Sequence, residues 1–296
     1  MIKQIIDISE QSYIHLSKKQ LLIDQEGKTI GSVPIEDIGI LILEHNAITI
    51  TQAVMIACQK NNIAVVICDN RHLPYSLLLP LTEGNNLHSK VIHQQIAITT
   101  PRKKQLWKEI IQEKIKQQSL TLERMKIDGK PLKHMISKVK SGDSENHEAQ
   151  ASQKYWKLLM GESFRRNPDE PGVNSLLNYG YSIIRAMVAR AIVSTGLHPA
   201  LGLFHHNQYN GFALADDLME PFRPWVDLLV SNMALKQLSL EVNRENKKIL
   251  LGLLNQSVKY NGKKLPFMVV SHHLAANLKE ACCDKSSRLT WPQWSA

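Results

Sequence analysis

The sequence predicts an α+β protein, with a β-rich N-terminal domain, a short linker and a larger, predominantly α-helical domain. Three observations carry this. Apolar, β-branched bursts of strand length fill the first eighty or so residues, a proline- and glycine-bearing break follows, and beyond it the apolar spacing changes to a helical period.

The elements follow in chain order. From Gln20 to Pro34, two short β-favouring runs flank a turn bearing Gly27. Residues 38–43, 47–51 and 63–68 are further strands, and the stretch from Gln52 to Lys60 is long enough for one helix. Pro74, the leucines at 77, 78 and 79, and then Pro80 and Glu83 to Asn86 mark the change of composition. Residues 1–79 are therefore expected to be the first domain, 80–86 the linker and 87–296 the helical domain. In that last part Leu106, Ile110, Ile111, Ile115 and Leu120 line one side of a helix, and Leu176, Leu177, Ile183, Ile184, Met187, Val188 and Ile192 line another. A polar loop over 138–150 leads into a helix capped near Asp143 or Ser144, and 165–172, with two prolines and a glycine, reads as a loop.

Bulk composition narrows the class. A chain of 296 residues with 43% hydrophobic content has material for a real core. No apolar run reaches the roughly 18–20 residues a membrane helix needs, and the first ten residues lack a signal-peptide pattern, so a soluble, cytoplasmic protein without a membrane partner is expected. The four cysteines form no CxxC pair, which excludes a disulfide scaffold and cysteine-held zinc. The net charge is +9, and residues 102–140 hold twelve Lys/Arg against four Asp/Glu. Such a stretch suits a polyanion such as nucleic acid, and equally a solvated helix face.

The chemistry-bearing residues lie in two segments. Glu148 stands two helical turns ahead of Tyr155 and Trp156; a zinc-protease pair with His147 is absent, because position 151 is Ala151. Farther on, His205, His206, Asp216, Asp217, Glu220 and Arg223 fall within twenty residues. If 213–220 is helical, at least one aspartate sits beside Glu220, and like charges there need a cation. Oxygen donors with one imidazole favour Mg²⁺ or Mn²⁺. An acidic surface turn paired with Arg223 fits the same spacing, which does not choose between the two. The doublet His272 and His273 reads as structural or as facing nucleic acid. A basic helical stretch, separated acids and a histidine together suggest a divalent-metal site acting on a phosphodiester.

Three sets of residues resemble one family: Glu148 to Trp156; Asn174 to Tyr181; and Gly202-Leu-Phe-His205 followed by Asp217-Leu-Met-Glu220-Pro-Phe-Arg223-Pro. The chain is similar to the Cas one family, the CRISPR-associated endonuclease and integrase of spacer acquisition, and looks nearest to its type II branch. Val33 to Ile38, Ile48 to Thr51 and Asp69 to Pro74 stand where that family has its β-domain signatures, so the resemblance covers nearly the whole chain. It implies an N-terminal β-sandwich domain that dimerises, an all-α-helical catalytic domain, a homodimer, and assembly with the small second Cas protein. It places the metal ligands on Glu148, His205 and Glu220, with His205 preferred over His206 because it keeps the Gly-x-x-His spacing from Gly202, and gives Asp217 a supporting place behind them. It further implies Mg²⁺- or Mn²⁺-assisted attack by the 3′-hydroxyl of a captured DNA fragment on a phosphodiester at a CRISPR repeat border.

Charge alone nominates Arg102, Lys103, Lys104, Lys108, Arg165 and Arg166 as contacts to the DNA backbone. Trp291 and Trp294 are either a stacking or docking surface or a packed tail. A non-catalytic DNA-binding scaffold and a purely hydrolytic nuclease acting on branched DNA are the competing readings.

Overall fold

The computed structural model describes residues 3–80, 87–284 and 286–294. Of the expected linker, only Pro80 falls within them.

The N-terminal region is built from two four-stranded sheets. One has the order β1 (Gln4–Ile8), β5 (Ile38–Leu43), β7 (Ala64–Cys68), β8 (Pro74–Leu78), parallel but for β8. The other runs β4 (Lys28–Pro34), β3 (Gln20–Gln25), β2 (Tyr13–Ser17), β6 (Thr49–Ile50). The turn joining β3 to β4 is made by Glu26 and Gly27, both at positive φ. α1 (Gln52–Lys60) occupies the crossover between β5 and β7, because parallel strands cannot be joined by a tight turn.

β5 is buried along its whole length, and from Ile40 to Leu43 its period of two splits it between two cores, while Ile38 lies across a register shift in the pairing with β1. Ile38, Leu41 and Leu43 pack with Ile14, Leu21, Val54 and Cys58; Ile40 and Ile42 instead join Ala64 and Val66 in the large core of the helical region. The first sheet is therefore the wall against which the helices stand.

The helices are α2 (His88–Ile96), α3 (Thr100–Arg124), α4 (Lys130–Ile136), α5 (His147–Met160), α6 (Val173–Ser194), α7 (Ala213–Met219), α8 (Arg223–Leu235), α9 (Arg244–Gly252) and α10 (Phe267–Cys283). α3 and α6 are the long central pair, and Trp107, Tyr155, Tyr179, Phe222, Trp225 and Phe267 fill the space around them. α6 and α8 approach closely at Gly180, where a Cβ would lie 2.4 Å from Val226 Cγ1.

The all-α-helical expectation for 87–296 fails at its C-terminal end. β9 (Ser257–Tyr260), β10 (Lys263–Pro266) and β11 (Gln293–Trp294) form a three-stranded antiparallel sheet. The physical reason is local: Asn261 and Gly262 sit at φ 47° and 77°, the conformation of a tight hairpin turn, and β9 alternates exposed and buried residues. The C-terminal tryptophans pack inward. Trp294 lies 5.4 Å from Trp225 with the Arg124 guanidinium over its ring, and Trp291 lies 6.3 Å from Phe222.

Candidate active site: two carboxylates and an oriented histidine

Glu148 stands in the first turn of α5. The Asp143 carboxylate caps that turn, accepting the backbone N–H groups of His147 and Glu148 at 2.9 Å each. Glu220 is fixed differently: Pro221 has no N–H to continue α7, so the chain tightens into a short 3₁₀ turn, Glu220–Phe222, before α8 begins. Residues 72 apart in sequence thus meet at one cation, with Lys114 Nζ of α3 lying 2.6 Å from Glu148 Oε1 and 2.6 Å from Glu220 Oε2.

The electrostatics follow from burial. Loss of solvent would raise the Glu220 carboxyl, but Arg223, whose Nε donates to Oε1 at 2.8 Å, and Lys114 outweigh it and hold the group at about 2. Burial likewise works to lower the Lys114 ammonium, and the charges of Glu220 and Glu148 more than reverse this. The Lys114 ammonium, 2.6 Å away, engages one lone pair of Glu220 Oε2, and the other meets no further partner.

His205 is held by Asp217, which is fully buried on α7. Its carboxylate accepts the backbone N–H groups of Leu203, Phe204 and His205 at 2.6, 3.0 and 3.3 Å, and lies 2.6 Å from His205 Nδ1. An ionised carboxylate only accepts, so Nδ1 carries the proton and Nε2 keeps its lone pair in the neutral ring. The bond to Asp217 also raises the imidazole's pKa. Gly202 permits this wrap, since a Cβ there would lie 2.4 Å from the His205 carbonyl oxygen. Phe204 stacks on Trp107 at 4.4 Å, and His205 meets both rings edge-on. The charges of His205 and Glu220 influence each other's titration, so the histidine belongs to the same electrostatic cluster. His206 is exposed beside it.

The expected neighbourhood of Asp216, Asp217 and Glu220 is resolved into three separate partnerships. Asp216 binds Arg185 at 2.7 Å, Asp217 holds His205, and Glu220 meets Lys114 and Arg223. Among the described residues, no three His, Cys, Asp or Glu side chains lie close enough to hold a metal ion as they stand. The Lys114 ammonium supplies the positive charge between the two carboxylates. The donor set itself suits a hard divalent cation: two carboxylates, a free Oε2 lone pair, and an imidazole whose second nitrogen is fixed by a carboxylate.

The basic candidates divide. Arg102 is a correction: it is buried, and its guanidinium donates to the carbonyl oxygens of Ala281, Asp284 and Ser287, tying α3 to the end of α10. A cation used up in this way cannot meet a phosphate. Lys104 and Arg165 are exposed, Lys103 and Lys108 are half-buried, and Arg166 donates to Asn174 Oδ1 and Asn178 Oδ1.

Two residues escaped the sequence reading. Lys114 falls three residues after Ile111 and so on the buried stripe of α3, where a lysine needs an acid. Asp227, buried in α8, accepts from Tyr155 Oη at 2.9 Å and from Tyr181 Oη, and burial pushes its carboxyl up to about 7. Nothing in its spacing announced it.

A family model described as CRISPR associated protein Cas1 matches residues 6–257. A CRISPR-associated endonuclease Cas1 from Neisseria meningitidis is 34% identical, over 93% of this chain and 90% of its own length. The chain belongs to the Cas1 family. A second relative, CRISPR-associated endonuclease Cas1 2 from Pyrobaculum aerophilum, is 26% identical over 90% of this chain and 95% of its own. Among solved structures, a Cas1 protein from Thermotoga maritima aligns with a TM-score of 0.80 at 16% identity, covering 97% of this chain and 99% of that one. A casposase bound to integration product aligns at 0.80 with 21% identity, covering 98% and 92%. These two likenesses establish a common fold, mixed α and β with the sheets N-terminal and a large helical region after them.

Proposed function

We propose that this Cas1 chain is a divalent-metal-dependent DNA endonuclease and integrase of CRISPR spacer acquisition, joining the 3′-hydroxyl of a DNA fragment to a phosphodiester in the repeat array. The observation that carries it is the convergence of Glu148, from α5, and Glu220, from the turn between α7 and α8, on one cationic point 2.6 Å from each. The names of the Neisseria relative and of the casposase complex support the reaction class.

Glu148, His205 through Nε2 and Glu220 would hold Mg²⁺ or Mn²⁺, and a bound ion would supply Lewis-acid activation of the attacking oxygen and charge neutralisation on the leaving one. Asp217 keeps the His205 ring in one tautomer and orientation, while Arg223 keeps Glu220 ionised and fixes its rotamer. Lys104, Lys103, Lys108, Arg165 and Arg166 are proposed to position the DNA backbone without reading its sequence.

A structure titled as a Cas6-RT-Cas1–Cas2 complex aligns over 98% of this chain with a TM-score of 0.77, which supports an assembly with the small second Cas protein. A homodimer formed through the N-terminal sheets, a boundary between domains at 80–86, and a cytoplasmic location complete the proposal.

An integration assay with Glu220→Ala tests it. Strand transfer in Mg²⁺ or Mn²⁺ should vanish from the variant; undiminished transfer would leave a DNA-binding scaffold as the better reading. A fragment with a blocked 3′ end separates integrase from simple nuclease, because joining should disappear while cutting persists.

A further inference from the structure

The small sheet near the C-terminus has no part in the reaction centre, and its exposed face carries an arrangement that folding alone disfavours. β9 alternates, with Val258 and Tyr260 buried and Ser257 and Lys259 exposed. Its register sets Lys264 of β10 directly opposite Lys259 on one side and Gln293 of β11 opposite it on the other. Opposed residues on neighbouring strands point to the same face, so Lys264, Lys259 and Gln293 form one row across the sheet. Lys263, next to the hairpin turn, is exposed as well.

Like charges directly opposite each other destabilise a strand pair. Residues 256–266 hold three lysines and no Asp or Glu, and among the described residues none of the three ammonium groups meets an acid. By contrast, the exposed Lys133 and Lys140 pair with Glu123 and Glu145. The row thus keeps unspent positive charge at a spacing the backbone fixes, about 4.8 Å between neighbouring strands. An anion lying between the two ammonium groups turns their repulsion into attraction.

The side chains narrow the class of that anion. Lysine is depleted at protein–protein interfaces, where aromatic residues and arginine gather, and it serves phosphate as a point charge. The rings of the sheet face away from the row: Tyr260 is 7% exposed, and Trp291 and Trp294 pack on Phe222 and Trp225. A single strand needs exposed rings on which to stack its bases, whereas a duplex offers such a face its backbone.

We propose that the β9–β10 hairpin is a DNA surface separate from the carboxylate pair, on which Lys259, Lys263 and Lys264 grip the phosphate backbone of double-stranded DNA. Phe222 belongs to the 3₁₀ turn that begins at Glu220, so the sheet and that turn form one packed block. A duplex held on the hairpin is therefore also held relative to Glu220. The inference rests on the reading of this chain as a DNA-acting protein and adds a surface that reading does not contain.

Fluorescence anisotropy with a labelled duplex whose 3′ ends are dideoxy-terminated, titrated in EDTA over a range of KCl, measures this contact without turnover. Lys259→Gln, Lys263→Gln and Lys264→Gln combined should raise the Kd about tenfold and lower the slope of log K against log salt by about two. The control combines Lys18→Gln, Lys60→Gln and Lys90→Gln, exposed lysines scattered outside the sheet, and should leave both nearly unchanged. An equal loss in the control reduces the effect to net charge and overturns the proposal, as does an equal loss for a single-stranded probe. The urea midpoint of the hairpin variant should not fall, because the substitutions relieve a repulsion; a lowered midpoint makes the lysines part of the fold and contradicts the role given to them. Unchanged duplex binding in the hairpin variant overturns this inference alone and leaves an acidic protein surface as the row's partner. A wild-type protein that binds no duplex at any salt overturns it together with the DNA-acting reading.

Discussion

The molecule contains two buried clusters in which a lysine meets carboxylates, and they differ in what the lysine leaves over. At the junction of the first sheet with the helices, Lys247 of α9 lies 2.6 Å from Glu44 Oε2, their side chains 6% and 1% exposed, and the Asp7 carboxyl, raised to about 7 by burial and then by Glu44, keeps its proton through the acid range. That cluster is closed. At the second, Lys114 is shared between Glu148 and Glu220, a cavity reaches it, and an imidazole is aimed by Asp217. The same charged groups therefore make a latch in one place and a reactive centre in the other, and the difference lies in access and in the oriented imidazole beside the second.

The comparison breaks first at the reactive centre. Glu220→Ala should reduce strand transfer by about 10³-fold or more while the urea midpoint moves little by comparison, measured side by side on one preparation. Lys247→Met should do the opposite. It strands Glu44 without its cation and should cost about 3 kcal/mol of unfolding free energy, with near-normal strand transfer per folded molecule. Equal effects of the two substitutions on activity would erase the distinction. Next in size, Asp217→Asn should lower strand transfer by about 10- to 100-fold with a weakened affinity for Mn²⁺, because the imidazole loses the acceptor that fixes it.

The smallest effect is on pH dependence. A carboxyl whose pKa is raised in the folded state contributes stability that is complete below its unfolded value and is lost as pH rises. For Asp7 that loss runs from the ordinary carboxyl value of 3.8 up to about 7. Asp7→Asn should flatten the stability curve across this window in urea titrations, and an unchanged slope would remove the shared proton from the latch.

What the sequence made legible follows from the range of each interaction. α1 was read at its observed bounds, because its signals are local; of the two cap residues offered, Asp143 or Ser144, Asp143 does accept the first-turn N–H groups, although the helix begins later, at His147, after Asn146. Glu148, His205, Asp217 and Glu220 were nominated by resemblance to a family, and spacing alone left Glu220 open to a surface turn with Arg223. Arg223 does bind Glu220, but in a buried setting next to Lys114. Lys114 was counted as one positive charge among twelve, since its significance depends on which acids α5 and the turn at Glu220 bring to it. Arg102 was misread because the carbonyl oxygens it satisfies belong to residues 281–287, remote in sequence. The β9–β10 hairpin had a local signal in Asn261 and Gly262 that was passed over, its strands being short and set among helical spacing.

The central claim is that Glu148, His205 and Glu220 make one divalent-cation site and that the Lys247 cluster makes none. Electron paramagnetic resonance titration of Mn²⁺ addresses it directly. The wild type and Lys247→Met should each bind one tight ion per chain, and Glu148→Gln, His205→Ala and Glu220→Gln should each lose it. Unaltered tight binding in those three variants would contradict the account.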